Sequence, residues 1–150
     1  AVDGIQSYAL RYQVPVQLQL PTEPAVQTYA DPLRLRQVLD NLLSNAVKFS
    51  AVQQPVVLRL LTGADSIRLE VIDQGQGIPE AFKSRIFEKF SQADSSDSRS
   101  KEGTGLGLTI CKRIIESHGG QIGFQSTEQV GTTFWIRLSR FIAAVPDDSV

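Results

Sequence analysis

The chain has 150 residues, 41% hydrophobic and 21% charged, with a net charge of −1. That length suits one domain with a proper core, since a chain of this size buries roughly 68–70% of its unfolded surface. The balanced charge gives nucleic-acid binding no electrostatic support, the apolar runs fall well short of a bilayer span, and one cysteine with one histidine cannot build a zinc site of the usual nitrogen and sulfur type. Cys111 has no partner for an internal disulfide, which fits a reducing cytoplasm, and no signal peptide is visible at Ala1. Lacking an initiator methionine, the chain is expected to be an excised domain.

Residues 14–20 alternate as Val-Pro-Val-Gln-Leu-Gln-Leu and read as a strand, with residues 25–30 as a short partner. Asp31-Pro32 then opens a helix, with Asp as N-cap and Pro in the first turn. Leu35, Val38, Leu39, Leu42, Leu43 and Ala46 give it a wide apolar face, and it is expected to run to about Phe49. Residues 55–62 and 67–73 are strands joined by a hairpin near Gly63-Ala64-Asp65. Residues 79–87 form a short helix. Residues 91–104 hold five serines, mixed charge and little apolar content, which reads as a mobile loop. A helix over 105–118 turns Leu108, Cys111, Ile114 and Ile115 inward, and Gly119-Gly120 ends it by accepting the left-handed conformation. Residues 121–126 and 132–139 are closing strands with a turn near Gly131. The domain is expected over 1–140, with 141–150 a tail or linker. Strands interleaved with helices and hairpins predict a two-layer α/β sandwich, a mixed sheet covered on one face by helices.

Three places carry chemistry. Ile67, Leu69 and Val71 alternate with Arg68 and Glu70, so the strand that ends at Asp73 is half buried. A carboxylate at such a point is costly unless something donates to it. The exocyclic amine of adenine is a suitable donor, whereas guanine presents a carbonyl there and two acceptors repel. Gly75 and Gly77 then allow the backbone close to a flat ring. Taken alone, Asp-x-Gly is equally ordinary turn chemistry. Second, Gly103-Thr104-Gly105-Leu106-Gly107-Leu108 exposes successive amides at the start of a helix, an arrangement that binds phosphate. Its glycine spacing is not the dinucleotide fingerprint, and no Gly-Lys-Ser/Thr occurs for a P-loop. Alone it reads equally as a flexible hinge. Third, Asn41, Asn45 and Lys48 share one side of the long helix. Asn oxygens are hard neutral ligands suited to Mg²⁺, and Lys48 can supply a charge to phosphate; the plain alternative is a solvated helix face.

In combination these residues resemble a known family. Asp40-Asn41-Leu42-Leu43-Ser44-Asn45-Ala46-Val47-Lys48-Phe49-Ser50 resembles the N box of two-component sensor histidine kinases. Asp73-Gln74-Gly75-Gln76-Gly77-Ile78-Pro79 is similar to their first glycine box, Ile86-Phe87-Glu88-Lys89-Phe90 to their phenylalanine box, and residues 103–108 to their second glycine box. Order and intervals fit, over residues 14–138. The resemblance implies the Bergerat-type ATP-binding fold shared with gyrase, heat-shock chaperones and mismatch-repair ATPases. It implies that Asn45, with Asn41, holds Mg²⁺, that Lys48 meets phosphate and that Asp73 meets adenine. Gly75, Gly77 and Ile78, together with Gly103, Thr104, Gly105, Leu106, Gly107 and Leu108, would line the nucleotide. Residues 91–102 would be the ATP lid, anchored by Phe87 and Phe90, with Arg99 or Lys101 reaching the outer phosphates. Phe49 would lie against base or sugar, and Thr133 would assist through water.

Members of that superfamily that hydrolyse ATP carry a glutamate four residues before the metal-binding Asn; here the position is Asn41, and an amide is no general base. The resemblance therefore implies transfer of the γ-phosphate to a histidine rather than hydrolysis. That acceptor histidine would lie on a separate dimerisation domain, with a response-regulator receiver domain downstream and no nucleic acid or direct membrane contact by this domain. His118, at a helix end before two glycines, is expected to cap that end rather than accept phosphate. The competing reading is a non-catalytic kinase-like module that acts by docking. A serine-directed kinase is disfavoured by the long lid and the Phe-x-x-Phe motif, and a stand-alone ATPase by Asn41.

Overall fold

The computed structural model describes residues 14–20, 30–50, 53–88 and 107–140. The partner strand expected just before Ala30, the loop over 91–104 and the tail over 141–150 lie outside these residues. The described elements are β1 (Val16–Gln19), α1 (Pro32–Phe49), β2 (Val56–Thr62), β3 (Ser66–Ile72), α2 (Glu80–Lys83), α3 (Gly107–Ser117), β4 (Gln121–Thr127) and β5 (Gly131–Ser139). Among the described residues the strands form one five-stranded sheet in the order β1-β2-β3-β5-β4. β1 runs parallel to β2, and the other pairings are antiparallel. A parallel pair needs a crossover, and α1 lies in that connection.

α1 begins where the sequence says it should. Asp31 Oδ1 accepts from the Leu33 and Arg34 amides at 3.0 and 3.4 Å, and Pro32 occupies the first turn, where a missing N–H costs nothing. Val38, Leu42, Leu43, Ala46 and Val47 are buried along one stripe. They pack against Val56 and Leu58 of β2, Ile67 and Val71 of β3, Phe134, Ile136 and Leu138 of β5, and Cys111, Ile114 and Ile115 of α3 within one core. Helices cover this face of the sheet. The opposite face carries a polar ladder: Arg59 and Arg68 reach Glu70 at 3.4 and 2.9 Å, and the Arg68 guanidinium lies 4.7 Å from the Trp135 ring centre. The expected two-layer sandwich is the observed one.

One boundary differs and another falls at the edge of the described residues. The helix expected over 79–87 is only Glu80–Lys83, continued by i→i+3 turns through Arg85→Phe82 and Glu88→Arg85 bonds. None of its four residues is fully buried, and only Phe82 packs against the core, which offsets little of the cost of propagating a helix. α3 is described from Gly107 rather than 105, residues 103–106 being outside the described set.

α3 ends in a Schellman motif: the Gly120 amide bonds the Ile115 carbonyl at 2.9 Å, the Gly119 amide bonds Glu116 at 3.0 Å, and Gly119 has φ +72°. Beside it, His118 Nδ1 lies 2.7 Å from the Ile114 carbonyl, and its Nε2 accepts the Asp31 amide at 3.0 Å. The tautomer with hydrogen on Nδ1 satisfies both bonds. One imidazole thus closes the C-terminus of α3 and the N-terminus of α1 together. His118→Ala should lower the unfolding free energy by about 1–3 kcal/mol, the cost of stranding these partners. Leu42→Ala, at a fully buried position, should cost ~2–5 kcal/mol. Urea denaturation of each variant measures both.

Candidate nucleotide site

Asp73 directly follows β3 and is only 9% exposed. Its own amide bonds the Thr132 carbonyl at 2.9 Å. Its Oδ1 accepts two amides, Gly75 at 2.9 Å and Thr132 at 3.1 Å. Burial pushes the carboxyl above the usual carboxylate range, and these two amides act in the opposite direction. No hydrogen bond among the described residues involves Oδ2. The site therefore holds a carboxylate with one oxygen fixed by backbone and the other available to a donor.

The glycines after Asp73 serve a different neighbour from the one their spacing suggests. A Cβ on Gly75 would run into the Phe49 carbonyl and come within 3.2 Å of Asp73 Oδ1. Gly75 also bridges to Ser50, just past the end of α1. Gly77 has φ +76°, and a Cβ there would strike the Thr127 carbonyl. Both are needed first so that backbone can meet backbone. Ser50 Oγ at this junction is buried without a hydrogen-bond partner, and Phe49 is 48% exposed. Ile78 is buried and donates its amide to Ser126 Oγ at 2.7 Å.

The other end of the site lies along α1. Asn41 Nδ2 donates to Cys111 Sγ at 3.7 Å, and the thiol in turn reaches the Val38 carbonyl at 3.8 Å. Burial pushes the thiol up to about 11, so it stays protonated and able to donate. Asn41 also faces the start of α3, since a Cβ on Gly107 would sit 3.8 Å from its Cγ. The structure thus brings the Asn helix and the second glycine box together at Gly107. Asn45 and Lys48 are half-buried on α1 between this point and Asp73. From Asn41 to Phe49 the helix rises about 12 Å, at 1.5 Å per residue, which separates the carboxylate end from the helix-terminus end. Among the described residues no group of three or more His, Cys, Asp or Glu could hold a metal ion. A cation here would rely on amide oxygens and on ligand phosphates, the habit of Mg²⁺.

Phe87, the expected anchor, is half-buried 6.0 Å from Phe124 and 6.4 Å from Phe134, ring centre to centre. Its carbonyl accepts Thr109 Oγ1 at 2.8 Å, which ties it to the first turn of α3. Phe90, Arg99, Lys101 and Gly103, Thr104, Gly105 and Leu106 lie outside the described residues. Leu108 is partly buried against the core rather than at the surface.

Thr133 and its neighbour Thr132 lie on opposite faces of the sheet. Phe134, Ile136 and Leu138 point to the helix-covered face, so the pleat places Thr132 on that face and Thr133 on the other. Thr132, 6% exposed, is the residue beside Asp73. The strand phase alone could have shown this. Sequence reasoning also passed over Ser126, Lys83 and Glu128, which surround the Asp73 loop: Lys83 Nζ reaches the Ser126 carbonyl at 2.8 Å, and the Glu80 amide donates to Glu128 Oε1 at 3.0 Å. No local pattern marks them, because the two sides of each of these bonds lie 43 and 48 residues apart.

Residues 30–141 match the family described as histidine kinase-, DNA gyrase B-, and HSP90-like ATPase. The circadian input-output histidine kinase CikA of Synechococcus elongatus is 44% identical over 147 residues, which is 96% of this chain and 20% of that protein. BarA of Escherichia coli, a signal transduction histidine-protein kinase, is 39% identical over 126 residues, 81% of this chain and 14% of that protein. The chain therefore spans about a fifth or less of these relatives. Among solved structures, full-length ShkA in complex with AMPPNP superposes with a TM-score of 0.80 at 32% identity, over 96% of this chain and 29% of that one. The nucleotide-free catalytic domain of the histidine kinase ThkA gives 0.77 at 27% identity, over 91% of this chain and 87% of that one. The chain belongs to the histidine kinase-, DNA gyrase B- and HSP90-like ATPase family and is homologous to the catalytic domains of sensor histidine kinases.

Proposed function

We propose that this domain binds Mg-ATP and transfers the γ-phosphate to a histidine on a separate dimerisation domain of the same sensor kinase. The observation that carries the reading is Asp73, a buried carboxylate with Oδ1 held by two amides and Oδ2 left for an exocyclic amine. Phe49 and Gly75 lie beside it for the base, and Asn41 at Gly107 marks the phosphate end. The likeness to sensor kinases over 96% of the chain supports the same assignment.

Asn45 and Asn41 would hold Mg²⁺ through their amide oxygens, where it would offset charge on the β- and γ-phosphates. Lys48, in the last turn of α1, supplies a positive charge toward the same phosphates. The positive N-terminal end of α3, described from Gly107, would add to that charge. In the transfer, an imidazole nitrogen forms a bond to the γ-phosphorus while the bridging oxygen–phosphorus bond breaks and ADP leaves with the electron pair. Asn41 offers no base to activate water, so the phosphoryl group is kept for the imidazole. The acceptor domain, a receiver domain and a cytoplasmic setting belong to this proposal, consistent with relatives five or more times the length of this chain.

Asp73→Asn keeps an acceptor for the two amides but turns a donor toward the base. Affinity for Mg-ATP should fall roughly ten- to hundredfold, the ~1.5–3 kcal/mol of a hydrogen bond to a charged group; calorimetric titration measures it. Unchanged affinity refutes the assignment, and absence of any binding by the unaltered chain at millimolar Mg-ATP favours the docking module.

The same substitution should stabilise the ligand-free fold at neutral pH. The folded carboxyl lies above its model value of 3.8, so the folded state holds the extra proton and stability falls as pH rises from 3.8 through the folded value. The advantage of Asp73→Asn should be present at pH 7 and shrink toward pH 4, as denaturation at the two values will show. With labelled ATP, the isolated 150-residue chain should take up no label, and adding its dimerisation domain should place label on that domain.

A further inference from the structure

The β4–β5 hairpin joins three pieces of the site through one hydroxyl. Ser126 Oγ accepts the Ile78 amide at 2.7 Å, shares a hydrogen bond with Thr132 Oγ1 at 2.8 Å, and lies 3.3 Å from the Gly131 carbonyl. Its own carbonyl accepts Lys83 Nζ at 2.8 Å. Ile78 belongs to the loop that supplies the Gly75 amide, and Thr132 supplies the other amide on Asp73 Oδ1. The two donors that orient the carboxylate thus come from separate stretches of chain, and Ser126 is the side chain that bonds to both stretches. The hairpin turn adds a backbone bond from Gln129 to Gln76 at 2.6 Å.

We propose that Ser126 is a positioning residue for base selection: its hydroxyl locks Ile78 to Thr132, and this fixes the rotation of the Asp73 carboxylate that reads the exocyclic amine. The proposal rests on the reading of Asp73 given above and goes beyond it. Discrimination requires that the oxygen facing the base be held in place, since a carboxylate free to rotate can retreat from a carbonyl as readily as it meets an amine. Oδ1 is anchored only as firmly as the two amides are fixed to each other. Without the Ser126 hydroxyl the Ile78 amide and the Thr132 hydroxyl lose their common partner, and the loop that carries the Gly75 amide is held to β5 by backbone bonds and by Asp73 alone.

The probes are Mg-ATP and Mg-inosine triphosphate, which differs in carrying a carbonyl where adenine has its amine. Binding of both to the 150-residue chain is measured by calorimetry for the unaltered protein, Ser126→Ala, Ser126→Thr and Asp73→Asn, with thermal unfolding in parallel. The unaltered chain should prefer ATP. Ser126→Ala should cut that preference by about threefold or more, the value of one hydrogen bond, and Ser126→Thr, which restores a hydroxyl, should recover it. If Ser126→Ala weakens both nucleotides equally and keeps the full preference, Ser126 is a structural residue and the proposal falls. Should that variant fail to fold, Ser126→Cys, near in size with a weak donor, carries the same comparison. A preference that survives Asp73→Asn overturns the base assignment itself, a failure distinct from that of Ser126.

Discussion

A carboxylate kept nine-tenths out of water at the end of a strand is the constraint around which this domain is arranged. An ion in that position is expensive unless its oxygens are engaged. The register of β3 against β5 satisfies one oxygen by carrying the pairing one residue past Ile72, so that Asp73 and Thr132 exchange backbone and side-chain bonds. The loop then turns back on itself through the Gly75 amide. Everything near that point is backbone pressed on backbone. Phe49 and Thr127 leave no room for a Cβ on either glycine. The sheet, the end of α1 and the β4–β5 turn are therefore assembled around a single acid.

α1 is the second organising element. Its apolar stripe builds the core, and the residues flanking that stripe reach the site at different heights. Asn41 meets α3 through Cys111 and Gly107, while Phe49 and Ser50 meet the loop that follows β3. Because one rigid helix spans both ends, the distance between the Asp73 loop and the start of α3 is set by helix geometry rather than by loops. The thiol of Cys111 is spent on this packing: buried, protonated and bonded to Val38, it behaves as a small core residue.

Much of this was legible in the sequence, for physical reasons that differ by element. α1 was readable because its cap, proline and apolar period agree at every level. The end of α3 was readable because only a glycine such as Gly119 adopts its turn easily. The sheet and its one-sided cover followed from strands alternating with helices. α2 came out shorter because Phe82 alone packs its four residues against the core, too little to set a helical period. Thr132 and Thr133 are adjacent and alike in sequence, and only the pleat decides which one faces inward. Ser126, Lys83 and Glu128 were invisible because their partners lie far along the chain, and a single sequence records no such pairing. The surface that Gly75 and Gly77 accommodate is the protein's own backbone, at Phe49 and Thr127, which no local pattern announces.

The single histidine repays a last look. Both nitrogens of its ring are engaged, one toward the Ile114 carbonyl and the other, through its lone pair, toward the Asp31 amide. That lone pair is the electron source a nucleophile would need. With that lone pair spent on the Asp31 amide, the ring serves as a clasp between two helix ends, so a change at this one side chain is felt at both ends at once.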